Sequence, residues 1–230
     1  MGRRAFLGGG LGLLAYSVAP AAAQMATCGA AKPPTVVVRA SPLQPGYEFS
    51  QSVADLAVLS RGRAPNAGTL THHGFRPAGL TTARFEHHWR TTVSGGMRGT
   101  RACFALTGIE VDVRLAEHRV YVARDATQVA TCGRDVVMEH EGRHVRINLK
   151  CLDDARARIQ QSLAAFIPSL PPLEGDGLTA QVAAGRYSQL LSKPISNAFK
   201  DAISFANSQH AAMDTNEAYA RDWGKCRRPG

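Results

Sequence analysis

The stretch Val136-Val137-Met138-Glu139-His140-Glu141-Gly142-Arg143-His144-Val145 decides how the rest of the chain is read. It contains His140-Glu141-x-x-His144, the HExxH pattern. On an α-helix, residues four apart lie on one face a turn apart, so both imidazoles can reach a single ion. Glu141, beside the first histidine, is placed to take a proton from water activated at that ion. Working outward, Val137, His140, His144, Ile147, Cys151, Ala155, Ile159 and Leu163 recur at three- and four-residue spacing. That rhythm predicts one long helix from Gly133 to about Phe166. Asp135 suits its first turn and Pro168 closes its far end. Both histidines share the stripe of the aliphatics, so they point towards protein and not solvent.

Upstream, the chain reads mainly as strand. Thr35-Val36-Val37-Val38-Arg39 is a short β-branched strand, and Tyr47 to Leu59 begins as strand and turns helical through Val53-Ala54-Asp55-Leu56. Residues 60–80, with Gly, Pro and Asn punctuation, read as loop and include His72-His73. Thr81 to Val93 is a strand carrying His87, His88 and Trp89. Cys103 to Leu106 and Ile109 to Val113 alternate with period two, and a short polar turn is expected before His118 to Ala123. A strand just ahead of the HExxH helix is where an extended peptide would pair with a sheet edge, independently of its sequence. Downstream, Pro171-Pro172 marks a break, and Leu178 to about Asp222 is mostly helical. Pro194 is expected to divide it into segments over 178–191 and 195–212. The reading is a single α+β domain over 24–230, mainly β before residue 133 and mainly α after it.

The first two dozen residues have the composition of an export signal. Arg3-Arg4 precedes an apolar run from Ala5 to Val18, and Ala21-Ala22-Ala23 offers a cleavage site before Gln24. Arg-Arg-Ala-Phe-Leu resembles the bacterial twin-arginine signal, an ordinary secretory signal being the alternative. No later stretch is apolar and long enough for a transmembrane span, so a periplasmic or secreted product is expected. Outside the cytoplasm the five cysteines, Cys28, Cys103, Cys132, Cys151 and Cys226, favour disulfides, with one left over and no pairing readable. The formal net charge of +9 comes without a basic run interleaved with aromatics, which argues against a nucleic-acid partner. Attraction to an anionic envelope surface, or simple solubility, is the expected meaning of the charge, and a peptide or protein substrate is expected from the HExxH pattern.

The metal site needs a third ligand. The metzincin continuation would require Gly at position 147 and His at 150, and the chain has Ile147 and Lys150. Glu217 is the favoured ligand: Asn216-Glu217-Ala218 followed by Asp222 looks like the glutamate-bearing helix of the gluzincin peptidases. The spacing differs from theirs by one residue, which leaves Asp222 in doubt as the partner of a ligand histidine. His210 and Asp214 are further candidates; Asp153 and Asp154, on the HExxH helix itself, reach poorly. Tyr219 and His210 are candidate donors to a tetrahedral oxyanion. His87 and His88, adjacent on a strand, cannot both face one ion.

The segment Val120-Tyr121-Val122-Ala123-Arg124, Cys132, His140-Glu141-Gly142-Arg143-His144-Val145 and Asn148 resembles exported proteobacterial proteins similar to the DUF922 family of predicted secreted zinc-dependent proteases. The resemblance covers about 103–167. It implies a zincin-like fold, a small antiparallel sheet packed on a long active-site helix, with zinc as cofactor and His140, Glu141 and His144 as site residues. It does not supply the third ligand. The expected function is a zinc-dependent peptidase. The alternatives are a non-catalytic envelope protein with a structural or degenerate HExxH helix, or a zinc amidase acting on cell-wall peptides.

Overall fold

The computed structural model describes residues 32–63, 78–126 and 132–227. The export signal, Cys28 and His72-His73 lie outside them. The architecture is α+β, and its spine is a single strand, β4 (Arg101–Val122). Along one edge β4 pairs antiparallel with β3 (Gly79–Arg98) over its whole length. Along the other edge three short strands lie end to end. These are β5 (Leu173–Asp176), antiparallel, then β1 (Thr35–Ser41) and β2 (Gly46–Glu48), both parallel. A helix, α1 (Val53–Arg63), follows β2.

Two expectations about these strands change. The polar turn expected between Val113 and His118 is absent, and β4 runs straight through. What the sequence signals there is a bulge: Arg84 pairs with Glu117 and Phe85 with Leu115, so Ala116 has no opposite residue. The extra residue shifts the inward phase, which is Ile109, Val111, Val113 and Leu115 before the bulge and His118, Val120 and Val122 after it. A second bulge at Thr107 does the same between Leu106 and Ile109. The real hairpin turn is Gly99-Thr100, where Gly99 takes φ +62°, the left-handed conformation a two-residue turn requires.

One face of the sheet is covered by two 34-residue helices, α2 (Gly133–Phe166) and α3 (Ala180–Met213). They run antiparallel, as contacts along the seam show: His144 meets His210, Cys151 Sγ meets the Ala202 carbonyl, and Ser162 Oγ bonds the Pro194 carbonyl. Leu152, Ile159, Leu163, Leu191 and Ile195, none more than 2% exposed, fill the seam with Val111 and Val113 beneath. Each contributes roughly 1.5–3 kcal/mol by transfer from water.

The expected division of α3 at Pro194 does not occur. Proline removes one hydrogen bond from the helix ladder, but the fully buried Leu191 and Ile195 anchor the turns on either side of it. Thr179 caps α3, its hydroxyl accepting from the Val182 amide. A last helix, α4 (Asn216–Gly224), follows after the two-residue junction Asp214-Thr215, with Thr215 as its cap.

Cys132, at the start of α2, is bridged to Cys226, just after α4, across 94 residues. Constraining the unfolded chain over such a loop is worth about 2–4 kcal/mol. Cys103 is also disulfide-bonded, whereas Cys151, expected as a possible bridge partner, is a free thiol buried in the α2–α3 seam. Among the described residues no helix is long and apolar enough to cross a membrane.

Candidate metal centre

The inward stripe of α2 changes character along its length. Its C-terminal half buries Leu152, Ala155, Ile159 and Leu163, and its N-terminal half buries His140, Glu141, His144 and Asn148. Opposite that polar half lie the end of α3 and the start of α4. His140 Nε2, His144 Nε2 and Asp214 Oδ1 converge there, each pair separated by 3.1 Å. Among the described residues this is the one group of three that could hold a metal ion. Ligand atoms about 2.0–2.2 Å from a tetrahedral zinc would sit about 3.3 Å apart, so the triangle fits.

Asp214 owes its place to the local fold. It follows the last residue of α3, its amide bonding the His210 carbonyl, and precedes the cap of α4, so the junction fixes its backbone on both sides. Its side chain is 28% exposed, against 3% for His140 and 9% for His144, so the cluster opens to solvent on the aspartate side.

Glu217, the favoured third ligand from sequence, is not in the cluster. It is exposed, in the first turn of α4. Its likeness to a ligand-bearing glutamate has a local cause, since an acid in a helix's first turn complements the helix dipole. Asp153 and Asp154 pair with Arg156 and Lys150 on the outside of α2.

Helix α4 supplies His140 with two neighbours from one face, three residues apart. Asp222, 5% exposed, accepts a hydrogen bond from His140 Nδ1 at 3.1 Å, and the Tyr219 ring stacks on the imidazole at 4.7 Å. With Nδ1 donating, Nε2 keeps its lone pair for the cluster. Arg143, a turn away, donates to the same Asp222 carboxylate. Asp222 thus takes the orienting role that the sequence left in doubt. The Tyr219 hydroxyl donates to Asp214 Oδ1 at 3.1 Å.

Glu141 is 3% exposed and receives a 2.6 Å hydrogen bond from Thr81 Oγ1, at the start of β3. Gly79 makes room for it: a Cβ there would lie 2.5 Å from Glu141 Oε1 and 2.6 Å from Val137 Cγ1. Burial raises the Glu141 pKa above the ordinary carboxylate value, with His144, Thr81 and His140 only partly offsetting it. Burial also pushes up the Tyr219 phenol, reinforced by the Asp214 and Glu141 charges. For His140, burial pulls the pKa down, but Asp214, Glu141 and Asp222 outweigh it and the net shift is upward. Asp214 shows the counterpart: burial favours its neutral form, yet the adjacent His140 and His144 imidazoles hold it well below the usual range. Two imidazole nitrogens and one carboxylate oxygen facing one point could hold a metal ion.

His144 has its own neighbours. Its Nδ1 lies 2.7 Å from His210 Nδ1, and burial, with the His144 charge, pushes His210 down to about 4. Asn148 and His118, neither assigned a role from sequence, continue the network behind it. Two patterns marked them: Asn148 is a polar residue on the inward stripe four after His144, and His118 falls in the inward phase with Val120 and Val122. Elsewhere, His87 faces α3, stacking with Trp89 and meeting Ser196 and Phe199, while His88 is exposed. No family model, curated protein or solved structure matches the chain.

Proposed function

We propose that the protein is a zinc-dependent peptidase of the cell envelope or exterior, zincin-like in its active-site helix. The observation that carries the reading is the convergence of His140 Nε2, His144 Nε2 and Asp214 Oδ1 at 3.1 Å beside a buried Glu141. Three protein ligands with one open side is the pattern of catalytic zinc, whereas structural sites are closed by four. Zinc held by these residues would supply Lewis acidity towards a substrate carbonyl.

The chain's own groups do the rest. Glu141, its proton affinity raised by burial, takes a proton from the attacking water and delivers it to the leaving amine. Tyr219, kept protonated by burial and adjacent carboxylates, donates to the oxyanion that develops. An extended peptide would pair with β3. The strand immediately before the HExxH helix is β4, which is central and already paired on both edges. Among the described residues no strand pairs with the outer edge of β3, whose Thr81 touches Glu141. The amino-terminal composition and the disulfides support an exported protein.

The decisive experiment measures bound metal in the purified protein and cleavage of an unstructured protein substrate by wild type and Glu141→Gln. Stoichiometric zinc, with a rate lower by about 10²–10⁴ in the variant, is expected. A protein that takes up no metal, or equal cleavage by both forms, overturns the reading in favour of a non-catalytic envelope protein.

A further inference from the structure

Behind His144 runs an unbroken line of polar contacts into the protein. His144 Nδ1 is 2.7 Å from His210 Nδ1, on α3. His210 Nε2 is 3.0 Å from Asn148 Oδ1, on α2. Asn148 Nδ2 is 3.4 Å from His118 Nε2, on β4. His118 Nδ1 is 2.9 Å from the carbonyl oxygen of Leu43, in the loop between β1 and β2. His118 and Asn148 are 2% and 3% exposed, so solvent cannot substitute for these partners.

The far end sets the direction. A carbonyl oxygen can only accept, so His118 carries its proton on Nδ1 and offers a lone pair at Nε2. Asn148 must then turn its amide nitrogen to His118 and its oxygen to His210. That oxygen requires a proton on His210 Nε2, which leaves the His210 Nδ1 lone pair facing His144. His144 therefore carries its proton on Nδ1, and its Nε2 lone pair points at His140 and Asp214. The reverse order would give His118 protons on both nitrogens or break the bond to Leu43. With three neutral imidazoles this is the one arrangement that satisfies Leu43, His118, Asn148 and His210, and it leaves His144 Nε2, 3.1 Å from both His140 Nε2 and Asp214 Oδ1, a lone pair for a cation.

We propose that His210, Asn148 and His118 are positioning residues: a proton-ordered relay, anchored on the Leu43 carbonyl, that holds His144 in the tautomer able to ligate a metal at Nε2. The purpose assigned to the relay rests on the metal site proposed above; the tautomers themselves do not. His140 gets the same result from one carboxylate, Asp222. His144 gets it at Nδ1 without a carboxylate, through three side chains from three elements.

Two measurements test the relay. Nitrogen-15 NMR of the histidine rings in metal-free wild type, at a pH where the rings are neutral, should show protons on His144 Nδ1, His210 Nε2 and His118 Nδ1. Zn2+ affinity, by competition with a chromophoric chelator, should fall about 10- to 100-fold in Asn148→Leu and His210→Gln, as for loss of a ligand's hydrogen-bond partner. His144 protonated on Nε2 in the wild type, or unchanged Zn2+ affinity in Asn148→Leu, overturns the relay. The tautomer measurement needs no variant, so it decides the matter even where a substitution prevents folding. Tight Zn2+ binding with these tautomers but no peptide cleavage would overturn the peptidase reading and leave the relay standing.

Discussion

The two ends of the α2–α3 seam are built on the same helical stripe and serve opposite ends. From Cys151 to Leu163 the stripe is apolar, meets Leu191, Ile195 and Ala202, and supplies stability by excluding water. From His140 to Asn148 it is polar, meets His210 and Asp214, and gathers groups that each lose hydration. Buried polar residues are costly without partners, and the three inward groups have them: Asp222 for His140, His210 for His144, Thr81 for Glu141. The apolar end is the scaffold that allows the polar end to be assembled at a loss.

If this division is right, substitutions at the two ends should fail differently. The largest effect is expected from Asp214→Ala, which removes one of the three groups proposed to hold the metal. Zn2+ affinity should drop by more than the roughly 100-fold typical of a ligand's supporting partner. The thermal midpoint of the metal-free protein at neutral pH should fall, because the depressed Asp214 pKa is stability present above the ordinary carboxylate pKa, and a rise would mean that the carboxylate is held against the fold.

At the other end, Leu191→Ala leaves a cavity in the fully buried seam and should cost about 2–5 kcal/mol in urea unfolding. The fraction that remains folded should bind Zn2+ as wild type does. Weakened binding in that fraction would show that the ends are mechanically coupled.

Gly79→Ala probes the border between the sheet and the polar end. The new methyl group meets Glu141 Oε1 and Val137 Cγ1 well inside van der Waals contact, so overpacking should cost about 1–3 kcal/mol. Cleavage should fall with Zn2+ affinity retained, because Glu141 is displaced while the ligands are not. The smallest effect belongs to Lys225→Ala. Its ion pair with Glu139 is exposed, and no change in the urea midpoint or in metal uptake is expected.

What could be read from the chain alone follows the range of the forces involved. The bounds of α2, Gly133 to Phe166, were legible because amphipathic rhythm is local and repeats over many turns. So was the inward face of His140 and His144. From sequence β4 reads as more than one strand because a bulge and a turn look alike over a few polar residues, and pairing with β3 tells them apart. Pro194 reads as a helix break because its local cost is visible, whereas the burial of Leu191 and Ile195 around it is not. Cys151 was unassignable for the same reason: a thiol in a core and one in a bridge have the same letter.

The site divides in the same way. Its first half, the two imidazoles and Glu141, lies within five consecutive residues, and helix geometry alone places them together. The other half comes from 70 or more residues away: Asp214 against His144 and His140, Asp222 against His140. Glu217 carried the local signature of a ligand helix and is exposed, while Asp214 carried none and meets both histidines. The sequence by itself determined where the chain could bind a cation, because four residues on a helix make one turn in any protein. Only the tertiary structure decided which carboxylate completes the site and which tautomer each histidine holds. Those depend on how the end of α3 docks against the start of α2, and docking is settled by the packing of the whole seam.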